Sequence, residues 1–167
     1  MVLCLCLIAA GCGGGDVESL DHFRLRWQEA VNSRDDGRLY DMLDSRSRRR
    51  IATDVEHLRS IESKQARDAV INQLGGERLE SLVDLTPRDY FARVWHLATD
   101  GRRPTMTVEK AGEGTAYMWL TIDDTRRQRI RLEVEAGRWV WTLPEQQFNQ
   151  PQPATDPASS ARAPDPQ

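Results

Sequence analysis

Three histidines, His22, His57 and His96, are the residues of this 167-residue chain whose ordinary pKa suits proton transfer near neutrality. His22 borders an apolar helical stripe and His57 adjoins Leu58, both ordinary surroundings for a boundary histidine. His96 follows Trp95 in a segment that begins Thr86-Pro87-Arg88-Asp89-Tyr90. Seven residues of helix put Asp89 and His96 on one face but about 10 Å apart along the axis. They are too distant for a direct dyad, so His96, Asp89 and Tyr90 are weak catalytic candidates that would frame a substrate together. Asp54 and His57 form an i, i+3 pair without a third donor, so no metal site is expected. The chain contains no Gly-x-Ser-x-Gly elbow, no phosphate loop and no paired Cys and His, and no cofactor is expected.

Binding chemistry is concentrated elsewhere. Tyr117, Trp119, Arg129 and Arg131 have the alternating spacing of one strand face, and a loop at Asp124-Thr125-Arg126 sets Trp119 opposite Arg131. Such a pairing is a cation–π contact, and this face is the candidate ligand or partner surface. Arg46, Arg48, Arg49 and Arg50 form a second cationic feature, read as a solvated first helical turn or as a contact for an anionic lipid or polysaccharide. Global charge points away from nucleic acid: residues 19–144 hold 22 basic and 21 acidic groups, which leaves no broad positive field.

The elements that must position these residues divide the chain in two. Leu20, Phe23, Trp27, Ala30 and Val31 recur at helical spacing from about Ser19 to Ser33, and Asp35-Asp36-Gly37 interrupts them. Leu39, Tyr40, Met42 and Leu43 suggest a short second helix. Ser47 is a cap for a third carrying Ile51, Val55, Leu58 and Ile61, and Ala66, Ala69, Val70 and Leu74 a fourth ended by Gly75-Gly76. Thr86 before Pro87 is the strongest helix start, because proline at the first helical position loses no needed N–H.

From Thr105 the period changes to two. Strands are expected at about 105–110, 115–123, 127–134 and 138–143. With Ala136-Gly137 as a two-residue loop, Val134 faces Trp139, Leu132 faces Trp141 and Ile130 faces Leu143, while Val140 points to the opposite face. Helices must cover the apolar face of this four-stranded antiparallel meander, so the fold class is α+β.

Both ends of the chain are simple. Residues 146–167 are rich in proline, alanine and serine and lack the apolar area to offset ordering entropy, so this tail is expected to be disordered. At the front, Val2-Leu3-Cys4-Leu5-Cys6-Leu7-Ile8 leads into Ala9-Ala10-Gly11-Cys12 and Gly13-Gly14-Gly15. About ten apolar residues are too few to cross a bilayer, which needs roughly 20. The run lacks a preceding Lys or Arg, so a start further upstream is expected.

This boundary resembles the lipobox of bacterial lipoproteins. The resemblance implies a signal peptide over 1–11, diacylglyceryl and acyl (palmitate-type) modification of Cys12, a spacer to residue 18, and a domain over 19–145 in the periplasm or extracellular space. The chain would then be anchored to the cell membrane or outer membrane. Two or more acyl chains anchor stably where one does not. A second resemblance is carried by Phe23-Arg24-Leu25-Arg26-Trp27-Gln28-Glu29-Ala30-Val31, by Leu39-Tyr40-Asp41-Met42-Leu43-Asp44 and by the closing Ala136-Gly137-Arg138-Trp139-Val140-Trp141. These are similar to the cone-shaped NTF2-like group that includes ketosteroid isomerase and SnoaL-like proteins. About 55 helical residues from Ser45 to Thr99 depart from that pattern and imply a helical variant. The resulting expectation is a noncatalytic envelope binding module whose partners are the bilayer and an envelope protein or small ligand. An isomerase, dehydratase or hydrolase using the cone pocket is one alternative, and a structural component on an anionic surface another.

Overall fold

The computed structural model describes residues 17–75, 79 and 81–143, so the expectations for the signal segment, Cys12 and the tail beyond residue 143 lie outside the described residues. Five helices precede a four-stranded antiparallel sheet, giving an α+β domain. Among the described residues no helix is long and apolar enough to cross a membrane.

Helix α1 spans Leu20–Ser33, and Ser19 caps it by accepting the His22 N–H. It ends at Arg34, whose left-handed backbone lets its N–H reach Ala30 and Val31. Helix α2 starts earlier than the apolar pattern suggests, at Asp36–Asp41, because Asp35 caps it by accepting the Arg38 N–H. Helix α3 covers Ser45–Arg59 and is capped by Asp44, not Ser47. The Asp44 carboxylate takes the Ser47 N–H at 2.6 Å, which leaves the Ser47 hydroxyl to accept the Leu143 N–H at 3.0 Å. A serine inside the first turn is released from capping when an aspartate three residues earlier fills that role. Helix α4, Lys64–Gln73, contributes no fully buried residue. Helix α5, Pro87–Thr99, begins at the Thr86 cap as expected and buries Tyr90, Phe91, Trp95 and Thr99.

The sheet runs β1 (Thr105–Gly112), β2 (Thr115–Thr121), β3 (Arg127–Glu135) and β4 (Arg138–Trp141), in sequence order. Ala116, Met118, Leu120, Ile130, Leu132, Trp139 and Trp141 form its inner face and share one core with Phe23, Trp27, Leu39, Ile51, Val55 and Phe91. In the last hairpin Leu132 pairs with Trp141 and Val134 with Trp139, as the alternation implies. Ala136 and Gly137 both have positive φ, the geometry of a type I′ turn that matches strand twist. The third expected pair is not part of the ladder, because β4 ends at Trp141; Leu143 is buried where Ser47 holds its N–H.

Two sheet expectations need correction. Trp119 pairs with Arg129 and Tyr117 with Arg131, two residues out of the expected register. The Asp123 carboxylate decides this by gathering the Thr125 N–H and hydroxyl and the Arg126 N–H and Nε, which places the loop at Asp123-Asp124-Thr125. Val140 is on the outer face but is 7% exposed. Glu135, from that same face of β3, reaches across β4 to the α3 N-terminus and so lies over Val140's side of the strand. The free edge of β4 is occupied too: Leu43 bridges to Trp141 in parallel, with the Trp141 N–H on Met42 and the Asp44 N–H on Trp141.

Candidate functional site

The outer face of the sheet carries the aromatic and arginine residues that the sequence singles out. Alternation along β2 puts Ala116, Met118 and Leu120 inward, so Tyr117 and Trp119 point outward, half-exposed. Along β3 the same alternation exposes Arg127, Arg129 and Arg131. The two-residue register difference changes which cation meets which ring. Arg129 stacks 3.6 Å from the Tyr117 centroid and also lies 5.8 Å from that of Trp119, while Arg127 covers Trp119 at 4.4 Å. Arg131 turns instead to Glu133, at 2.9 Å. Arg127 is therefore the member of the set that the expected register misses; its i, i+2 relation to Arg129 was the available signal.

Among the described residues no carboxylate pairs with Arg127 or Arg129. Their planes rest on rings and their N–H edges remain open, an arrangement suited to carboxylate or phosphate groups. Thr105 and Thr107 on β1 extend this face, since they pair with Thr121 and Trp119.

The histidine candidate has a different environment. Asp89, Tyr90 and His96 share α5 but not a site. Asp89 binds the Thr86 hydroxyl in the helix cap. Tyr90 is buried, and burial together with the nearby Asp54 charge raises its hydroxyl pKa. His96 finds a partner sixty residues away: its Nε2 lies 3.0 Å from the Asp36 carboxylate at the start of α2. Burial pushes the Asp36 carboxyl above the usual aspartate value, although the His96 contact pulls the other way.

The Asp36–His96 pair borders a recess lined by Val31, Arg34, Trp95, Thr99, Arg102 and Arg103. Its cavity volume of about 20 Å³ holds roughly one water. On the other side of His96 is a shallow groove of about 370 Å³ lined by Leu74, Arg93, Leu97 and Asp100. Neither encloses a drug-sized ligand, but His96 can exchange a proton there with Asp36 behind it as an orienting acceptor. Among the described residues no group of three or more His, Cys, Asp or Glu could hold a metal.

His22 lies 3.2 Å from Glu18, whose carboxylate also receives Arg26 Nε and Nη2 at 2.7 and 2.8 Å. Burial works to raise the Glu18 pKa, but Arg26, the Trp139 N–H and His22 outweigh it and hold it low. Against known proteins, the chain matches no family model, no curated relative and no solved structure.

Proposed function

We propose that this protein is a cell-envelope lipoprotein, anchored through acylated Cys12, whose domain acts as a noncatalytic binding module. The Ala9-Ala10-Gly11-Cys12 boundary supports the anchor. The observation that carries the binding role is the outer sheet face, where Arg127 and Arg129 stand on Trp119 and Tyr117 without a carboxylate partner among the described residues. Buried structural arginines are normally paired, whereas stacked and unpaired guanidinium groups on an exposed sheet suit an anionic partner surface. Helices followed by an antiparallel sheet that closes on Gly137-Arg138-Trp139 support a helical variant of the NTF2-like architecture.

Cys12→Ser is expected to release the protein from membranes, and mass spectrometry of the mature N-terminus reads the modification directly. An unmodified Cys12 in the membrane fraction overturns the anchor. Trp119→Ala combined with Arg129→Gln is expected to reduce crosslinking to the envelope partner by tenfold or more, while His96→Ala leaves it intact. The reverse pattern overturns the binding reading.

A second reading is favoured by one observation, the Asp36–His96 contact beside two surface indentations. It is a small-molecule isomerase, dehydratase or hydrolase in which His96 moves the proton and Asp36 orients it. Turnover by the purified domain that is lost in His96→Ala, with the fold retained, would establish it in place of the binding module.

A further inference from the structure

The arginine cluster at the start of α3 and the point where the chain enters the domain are held together by one hairpin. Glu18 is fixed to the β3–β4 turn from two sides: its N–H donates to the Gly137 carbonyl at 2.8 Å, and its carboxylate accepts the Trp139 N–H at 3.1 Å. Two residues before Gly137, the Glu135 carboxylate accepts both the Ser45 N–H and the Ser45 hydroxyl at 3.1 Å. Ser45 is the first residue of α3, and Arg46, Arg48 and Arg49 follow it. The entry point and the start of α3 are therefore separated by the two-residue Ala136-Gly137 turn and one glutamate side chain, about 15 Å at most.

At this end of the domain the acids have protein partners: Glu18 with Arg26, Asp21 with Arg24, Glu133 with Arg131, Glu135 with Ser45 and Asp44 in the α3 cap. Arg46, Arg49 and, in the turn itself, Arg138 are exposed. Glu113, the exposed acid of the β1–β2 turn, is at this same end of the sheet, about two strand spacings or roughly 10 Å away on the β1 side.

We infer that Arg46, Arg49 and Arg138 form a contact for the anionic phospholipid headgroups of the bilayer that holds the anchor. The inference rests on acylation of Cys12, as proposed above. Six residues from Cys12 to Glu18 reach at most about 20 Å, so the tether keeps the hairpin within about two Debye lengths of the headgroups. Electrostatic attraction to an anionic leaflet acts within a Debye length of about 8–10 Å, which an exposed arginine at this end can reach. Lipid chains and a basic patch are two signals that reinforce each other. The β2–β3 turn, with Asp123 and Asp124, is at the far end of β3 and is turned away from the membrane. That orientation leaves the outer sheet face open along its length to a partner approaching from the aqueous side.

The test uses the acylated full chain in vesicles of phosphatidylcholine with or without phosphatidylglycerol. Acylation blocks Cys12, and Cys4 and Cys6 leave with the signal, so Thr53→Cys on α3 and Asp124→Cys in the β2–β3 turn each carry one fluorophore. Energy transfer to a headgroup acceptor is then compared. Transfer from position 53 is expected to exceed that from position 124 several-fold in anionic vesicles. The bias should fall to the smaller level set by the tether alone in neutral vesicles, at high salt and in Arg46→Gln/Arg49→Gln, whose folding is checked by its thermal melt. Arg138→Gln gives an independent variant, with each arginine expected to change the equilibrium about fivefold. A bias indifferent to lipid charge, salt and these substitutions, or position 124 lying nearer the headgroups, overturns the proposal. Protein that fails to float with vesicles and shows an unmodified Cys12 mass removes the anchor, and this orientation with it.

Discussion

Trp141→Ala and Trp141→Phe together test how the helical layer is joined to the sheet. Trp141 is 1% exposed, its Nε1 donates to the Leu39 carbonyl at 3.2 Å, and its ring meets Phe91 and Trp95 edge-on at 6.0 and 5.7 Å. Burying an aromatic side chain removes roughly 150–250 Å² from water, worth about 4–6 kcal/mol at about 25 cal/mol per Å². Alanine retains a small part of this, so truncation is expected to cost about 3–5 kcal/mol. Phenylalanine keeps most of the ring contact but loses about 1 kcal/mol of net hydrogen bonding and some area, for a total near 2 kcal/mol. A domain of this size has only about 5–15 kcal/mol in all, so Trp141→Ala approaches the limit of folding while Trp141→Phe remains well within it. Urea melts followed by far-UV circular dichroism measure both, with an unchanged slope confirming that the native state is the one altered. A loss under about 1 kcal/mol for Trp141→Ala, or equal losses for the two variants, would refute the packing and the hydrogen bond to α2.

Val140→Thr is expected to cost about 1–2 kcal/mol in the same melts, since it puts a hydroxyl under the Glu135–Ser45 contact; a neutral result would mean that the outer face of β4 is open. Ala136→Asn should stabilise the domain by about 0.5–1 kcal/mol, because Ala136 holds φ 49° where asparagine is better tolerated. Asp36→Asn is expected to leave stability at neutral pH unchanged or higher. A carboxyl with a raised folded pKa favours its protonated form, so its stabilising contribution exists at low pH and is lost as pH rises through the folded value. A lower midpoint in urea would contradict this sign. Glu18 behaves oppositely: its folded pKa is depressed, so its contribution is present above the ordinary value of about 4.3 and is lost as pH falls through the folded one. Wild-type and Glu18→Gln midpoints should therefore differ at pH 7 and converge on acidification.

The sequence alone determined what depends on neighbours within one turn or one hairpin. Thr86-Pro87 set the start of α5 through a local cap, and Ala136-Gly137 set the last turn, which carried the Leu132–Trp141 and Val134–Trp139 pairs with it. The change from helical to alternating periodicity determined the α+β class, because side-chain direction along an element repeats every few residues. Only the tertiary structure decided contacts between residues far apart in the chain. Asp36 with His96, Glu135 with Ser45 and Glu18 with Trp139 leave no spacing signal, since sixty to more than a hundred residues separate the partners. Register in the β2–β3 hairpin was lost for a subtler reason: a side chain fixed it. The Asp123 carboxylate, by collecting four donors from its own turn, placed the loop one residue earlier than the turn-forming residues alone suggest, and one residue of loop moves every cross-strand pair by two. The cation over each ring on the outer face was therefore a consequence of that carboxylate.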